Sequence, residues 1–209
     1  MPFATARFYA ILDTGYAPVR RLPELARAVL AGGADIVQLR AKAATTGQRV
    51  EMLQSLAPLC AAAGVPLVCN DDVEAALAVP GVGLHIGQDD LAAKTARAML
   101  GPGRVLGLST HSLAQAQAAL ALGDVLTYFA VGPVFPTGTK PDYPAVGLEL
   151  VRAVAALAPA RPWFCIGGIN RENAASVHAA GARAIVAVSA VLQAADPEKM
   201  VRELRAMME

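Results

Sequence analysis

The sequence predicts an α/β fold in one domain spanning residues 1–209: a (β/α)8, or TIM, barrel with a parallel eight-stranded sheet. Three observations predict it. Short, near-continuously apolar runs alternate strictly with Ala/Leu-rich helical patterns, eight of each. Such strands suit a parallel sheet covered by helices. Gly stands between an apolar helical stretch and the next strand in "AGGAD" (31–35), "AAGVP" (62–66) and "AAGAR" (179–183), as at a helix C-cap. No linker, low-complexity tract or charge block divides the chain.

The expected strands cover 8–13, 36–39, 66–70, 83–86, 104–108, 128–131, 163–166 and 184–188. The expected helices cover 22–31, 46–63, 73–78, 91–100, 113–122, 148–157, 172–180 and 197–207. "AGGADIVQL" and "AAGARAIVAV" echo one another, as two copies of one βα unit would, over too short a span to establish a repeat. The rival fold is a doubly wound open sheet. Neither "GVGLHIG" (81–87) nor "GPGRVLG" (101–107) has the GxGxxG spacing of a dinucleotide turn, which favours the barrel.

Composition narrows the function classes. Hydrophobic residues make up 55% of the chain, much of it alanine. No run of about 18 residues is free of polar side chains, so no membrane-spanning helix is expected. The start, "MPFATARFYAILDTG", lacks the basic segment and longer apolar core of a signal peptide. A net charge of +1 gives no electrostatic case for nucleic acid or an anionic membrane. Cys60, Cys69 and Cys165 are odd in number and show no CxxC spacing. Buried reduced thiols in a cytoplasmic protein are expected rather than disulfides or zinc.

In a parallel barrel, chemistry gathers where strands end and βα loops begin. The polar residues there are Gln38, Arg40 and Lys42, then Asn70, Asp71 and Asp72, then His85, Gln88, Asp89 and Asp90. Ser109, Thr110 and His111 follow, then Thr137, Thr139 and Lys140, Gly167 and Gly168, and Ser189. Cations beside carboxylates suggest a phosphorylated ligand with Mg²⁺, which prefers oxygen donors and substrate phosphates. Glycines before a helix expose N–H groups that bind phosphate. Together the set resembles two anion sites, one with a metal.

Each piece also has a plain structural role. Asp71 or Asp72 could cap the next helix, and so could Asp89 or Asp90. Gln38 and Arg40 point into the barrel only if Val37 and Leu39 face the helices. The turn "PTGTK" (136–140) could be a polar surface loop, "IGGIN" (166–170) an ordinary strand-to-helix turn, and the two histidines structural. Residues 41–47 suit a lid or an ordinary βα loop equally.

At this point the motifs carry a resemblance. "VQLRAK" (37–42), "CNDD" (69–72), "LHIGQDD" (84–90), "GLSTHS" (107–112), "VGPVFPTGTKPD" (131–142), "IGGIN" (166–170) and "VAVSA" (186–190) are similar, in order and spacing, to those of thiamine-phosphate synthases. That family is a (β/α)8 barrel. It joins 4-amino-5-hydroxymethyl-2-methylpyrimidine diphosphate to 4-methyl-5-(2-hydroxyethyl)thiazole phosphate, giving thiamine phosphate and diphosphate. The resemblance implies a transferase of thiamine biosynthesis with these two small-molecule substrates. It implies that Gln38, Arg40, Lys42, Asn70, Ser109 and Lys140 hold the pyrimidine diphosphate. It implies that Asp71 and Asp90 carry Mg²⁺, and that Thr137, Thr139, Gly168, Val188 and Ser189 bind the thiazole phosphate. Arg40, Lys42, Ser109 and Lys140 would be catalytic, because they meet the departing diphosphate.

Two positions depart from the family pattern. Ala41 stands where an acid is usual, and Asp72 where Arg is frequent; Asp72 could offset the extra positive charge of the Arg40–Lys42 loop if it comes near. Two alternatives stay open. One is a thiazole tautomerase of the same barrel family, using His111. The other is a non-catalytic barrel that binds a phosphorylated ligand, which would need the phosphate loops but not the aspartate pair.

Overall fold

The computed structural model describes residues 2–138 and 144–209. Eight parallel strands close in sequence order into a barrel: β1 Phe8–Asp13, β2 Ile36–Arg40, β3 Leu67–Asn70, β4 Gly83–Ile86, β5 Leu106–Thr110, β6 Tyr128–Val131, β7 Trp163–Cys165 and β8 Ile185–Ala187. Helices α1 Leu22–Ala31, α2 Thr46–Ala62, α3 Val73–Ala78, α4 Ala93–Leu100, α5 Leu113–Ala121, α6 Gly147–Ala156 and α7 Ala174–Ala179 connect successive strands. After β8 come a four-residue helix, α8 Ser189–Leu192, and then α9 Pro197–Ala206.

The helices start where their caps put them. Thr45 accepts the Gln48 N–H, and the Gln48 side chain accepts the Thr45 N–H, a capping box that opens α2. Asp72, Ser112 and Asp196 each accept the N–H three residues on and open α3, α5 and α9. The apolar stripe of α1 (Leu22, Leu25, Ala26, Val29) is buried against the barrel wall.

Strand alternation decides which side chains face inward. Val37 and Leu39 pack in the buried layer under the helices, whereas Gln38 and Arg40 line the cavity inside the barrel. The interior below that cavity is aromatic. Phe3 stacks on Tyr128, and Tyr9 meets both Tyr128 and Phe164 edge-on. Gly107 makes room for this layer. It pairs with Tyr128 across β5 and β6, and a Cβ on it would lie 2.2 Å from Tyr128 Cζ.

Most boundaries fall within two residues of expectation, and two differences have a physical cause. β5 runs two residues further along the chain than its apolar pattern, because Ser109 and Thr110 stay in the strand and are buried there. The Thr110 hydroxyl donates to the Ala130 carbonyl at 2.8 Å. Helix α8 was not expected, since four residues carry too little periodicity to register. Among the described residues no helix is long and apolar enough to cross a membrane. Cys60, Cys69 and Cys165 are buried and unbridged, as expected. Burial alone pushes the Cys60 thiol up to about 11.

Gly107→Ala is expected to cost about 1–3 kcal/mol through overpacking against Tyr128. Thermal unfolding checks it; an unchanged melting temperature would contradict the packing described for β5 and β6.

Candidate active site

A cavity of about 350 Å³ opens at the C-terminal ends of the strands. Of the sequence-predicted site residues, Gln38, Arg40, Lys42, Asn70, Asp71, Asp90, Ser109, Thr137, Gly168, Val188 and Ser189 all line it. Thr139 and Lys140 lie outside the described residues. Strands β2 to β4 supply the charged arc, and the ends of β7 and β8 supply a small-residue arc across the mouth.

Arg40 is held by a residue that sequence reasoning missed. Asp13 ends β1 directly opposite Arg40 in register. It is 2% exposed and accepts from Arg40 Nη1 at 2.5 Å through one oxygen and from the Gly15 N–H at 2.8 Å through the other. A buried carboxylate needs such partners. The run "ILDTG" carries the clue, an acid closing an apolar strand just before a turn.

Asp71 has φ +63°, a conformation a non-glycine residue adopts only under constraint. Its N–H donates to the His85 carbonyl at 2.8 Å, and its carboxylate is ion-paired with Lys42. Asp90 sits beside it. The Asp90 carboxyl is pushed above its ordinary range, most of all by burial. The Gly87 N–H, donating at 2.7 Å, opposes that; the hydrogen bond and charge of Asp71 add to it, and Lys42 opposes it. Neither acid caps a helix: the N-cap of α4 is Ala92, and that of α3 is Asp72.

Two carboxylates from neighbouring strands, oxygen donors crowding one another, form a donor set that suits a divalent cation. Among the described residues no group of three or more His, Cys, Asp or Glu side chains could hold a metal. The pair would therefore leave most of such an ion's coordination to water and phosphate oxygens, as Mg²⁺ prefers.

Asp72 does not lean toward Arg40 and Lys42. It accepts from the Ala75 N–H and the Thr46 hydroxyl at 2.9 Å and from Arg49 Nη1 at 2.8 Å. Burial acts against its charged form, but these three donors outweigh it and hold the carboxyl below its ordinary value. Arg49 in turn donates to the carbonyls of Ala41 and Lys42. The loop carrying Lys42 is thus tied to α2 and α3, which suits an anchored βα loop better than a lid. Ala41 is buried within it.

Across the mouth, Gly167 (φ +103°) and Gly168 (φ +63°) end β7. A Cβ on Gly168 would fall 2.6 Å from the Pro136 carbonyl oxygen. The two glycines let the β6 loop lie against them: Val134 N–H donates to Ile166 O at 2.8 Å, and Phe135 N–H to Gly167 O at 3.0 Å. Val188 and Ser189 open α8, whose first N–H groups have no partner within the helix. That edge suits a phosphate.

Both histidines at the rim are tied to the barrel frame. His85 bridges Tyr128 Oη and Ser109 Oγ, each at 2.9 Å. His111 Nδ1 donates to the Gly132 carbonyl at 2.5 Å, and its N–H donates to Gln115 Oε1 at 2.6 Å. Gln88 Nε2 donates to the Ser109 carbonyl at 2.5 Å and fixes the end of β5.

The fold and cavity define a (β/α)8 barrel with an acidic pair set among basic side chains at its mouth. The family described as thiamine monophosphate synthase matches residues 8–191, and the chain belongs to it. A thiamine-phosphate synthase of Acidothermus cellulolyticus is 44% identical over 206 residues, covering 97% of this chain and 95% of the relative. One from Mycolicibacterium smegmatis is 45% identical over 194 residues, covering 88% and 85%. The structure of thiamine phosphate pyrophosphorylase from Pyrococcus furiosus superposes with a TM-score of 0.86 at 33% identity, covering 98% of this chain and 96% of that one. The tautomerase alternative gains no support from relatives that carry the synthase name over nearly the whole chain.

Asp72→Ala removes a helix cap and the partner of Arg49, and is expected to lower the unfolding free energy by about 1–3 kcal/mol. Urea denaturation measures it. A stability within a few tenths of the parent would mean that the Asp72 contacts contribute nothing.

Proposed function

We propose that this chain is a thiamine-phosphate synthase that joins the pyrimidine diphosphate to the thiazole phosphate within the one cavity. The observation that carries this reading is the placement of charge. Arg40, Lys42, Asp71 and Asp90 crowd the β2–β4 arc, while Gly168, Val188 and Ser189 form an uncharged, N–H-bearing edge across from them. Two phosphorylated substrates need two such regions, and their reacting ends then meet between them.

The chemistry asks little of acids and bases. The bond between the pyrimidine methylene and the diphosphate oxygen breaks, and its electron pair leaves with the diphosphate. The methylene cation is stabilised by the electron-rich aminopyrimidine. The thiazole nitrogen then supplies its lone pair to form the new C–N bond, and it has no proton to lose. Arg40, positioned by Asp13, and Lys42 neutralise charge that grows on the leaving diphosphate, and Ser109 donates a hydrogen bond to it. Lys140 is assigned the same task by family likeness. Asp71 and Asp90 would hold Mg²⁺, which supplies further charge neutralisation on the diphosphate when bound. Gln38 and Asn70 bind the pyrimidine end. Thr137, Thr139, Gly168, Val188 and Ser189 bind the thiazole phosphate. Three buried thiols and the absence of any helix able to cross a membrane, among the described residues, support a cytoplasmic enzyme in one barrel domain.

The protein mixed with both substrates and Mg²⁺ is expected to release diphosphate and form thiamine phosphate; no release would overturn the proposal. Asp90→Ala is expected to cut turnover by orders of magnitude while thiazole phosphate still binds by calorimetry. Near-normal turnover would remove Asp90 from the metal site.

A further inference from the structure

A continuous hydrogen-bond chain crosses the barrel interior. Gln38 Nε2 donates to Tyr9 Oη at 2.5 Å, and Tyr9 Oη lies 2.8 Å from Tyr128 Oη. Tyr128 Oη lies 2.9 Å from His85 Nδ1, and His85 Nε2 lies 2.9 Å from Ser109 Oγ. The two ends, Gln38 and Ser109, line the cavity. The middle is rigid: Tyr128 stacks on His85 at 5.6 Å and 21°, and Tyr9 packs edge-on to Tyr128.

Proton counting leaves such a chain two directions. Each phenol has one proton, and a neutral imidazole has one N–H. In the first direction every proton points from Gln38 toward Ser109. His85 then carries its proton on Nε2, and the Ser109 hydroxyl is free to donate into the cavity. Gln38 turns its Oε1 away from Tyr9 as an acceptor. In the second direction all of this reverses: Ser109 donates to His85, and Gln38 presents only its NH2 group.

Two observations select the first direction. Gln38 is 1% exposed, and its Oε1 has no hydrogen-bond partner in the protein. A buried carbonyl oxygen of this kind calls for a donor from a ligand. At the other end the cavity gathers Arg40 and Lys42, a setting for anions, and a hydroxyl serves an anionic oxygen only by donating to it. Burial raises the pKa of both tyrosines, so they stay protonated and able to relay.

We propose that Tyr9, Tyr128 and His85 are positioning residues that couple the two ends of the pyrimidine site. When Ser109 donates to a diphosphate oxygen, the chain fixes the Gln38 carbonyl as an acceptor that reads an N–H donor, such as an exocyclic amine on the base. The identity of the ligand rests on the synthase reading; the direction of the chain is a property of the protein itself.

The test is the tautomer of His85, read by ¹⁵N NMR of histidine-labelled protein with Mg²⁺ and inorganic diphosphate at about pH 7.5. The other two histidines are assigned with His111→Asn and His178→Asn. The proposal expects Nε2 protonated and Nδ1 bare; Nδ1 protonated, or both, overturns it. Tyr128→Phe keeps the ring and cuts the chain. It is expected to raise KM for the pyrimidine diphosphate about tenfold, to leave kcat within about twofold, and to reduce about tenfold the preference for the amino substrate over its 4-oxo analogue. Undiminished selectivity in that variant also overturns the proposal, since a purely structural tyrosine would not set it. A protein with the Nε2–H tautomer that makes no thiamine phosphate refutes the synthase reading and leaves the chain's direction standing.

Discussion

Asp71 and Asp90 lie side by side beyond the ends of adjacent strands, and the charged half of the cavity gathers around this acidic pair. Like charges in a partly buried site disfavour ionisation unless cations answer them. Lys42 answers one of the two directly. The left-handed backbone at Asp71, pinned by the His85 carbonyl, keeps that carboxylate in place rather than letting it turn out to solvent. Arg40, which lines the same cavity, is held by Asp13. The arrangement sets two basic side chains in the same cavity as an acidic pair, which suits a metal–diphosphate ligand.

The barrel makes that arrangement possible by bringing distant sequence together on one face. Residues 13, 40, 71 and 90 meet because parallel strands end at the same rim. Beneath the rim the interior changes character. Polar side chains at the cavity give way to a hydrogen-bonded aromatic layer of Tyr9, Tyr128 and Phe164, packed on Phe3 at the base. Structures with far lower identity share the barrel fold. A geranylgeranylglyceryl phosphate synthase from Thermoplasma acidophilum superposes with a TM-score of 0.72 at 12% identity, a likeness of fold alone.

Much of this was legible in the sequence, because it depends on local pattern. β1, β4 and β6 have the bounds that their apolar runs predict, and α1 and α3 those of their helical patterns. Alternation with Val37 and Leu39 put Gln38 and Arg40 on one face, and only the closed barrel decides that this face is the inward one. What escaped was set by contacts between distant strands. Asp13 resembled an ordinary strand end, and only register with Arg40 gives it a role. Tyr9 and Tyr128 resembled apolar core, since nothing local shows that their hydroxyls face one another. Gly107 was one glycine among eighteen until the ring beside it was placed. The β5 end was misplaced because buried polar residues at a barrel mouth break the hydrophobic pattern without ending the strand. Asp72 was left open, and Arg49, which decides it, lies 23 residues away.

The most direct test of the charge arrangement is calorimetric titration of inorganic diphosphate with and without Mg²⁺, on the parent protein and on Asp71→Asn. The account predicts that Mg²⁺ tightens diphosphate binding in the parent and that most of this gain is lost in the variant. Diphosphate affinity indifferent to Mg²⁺, or an equal gain in both proteins, would contradict it.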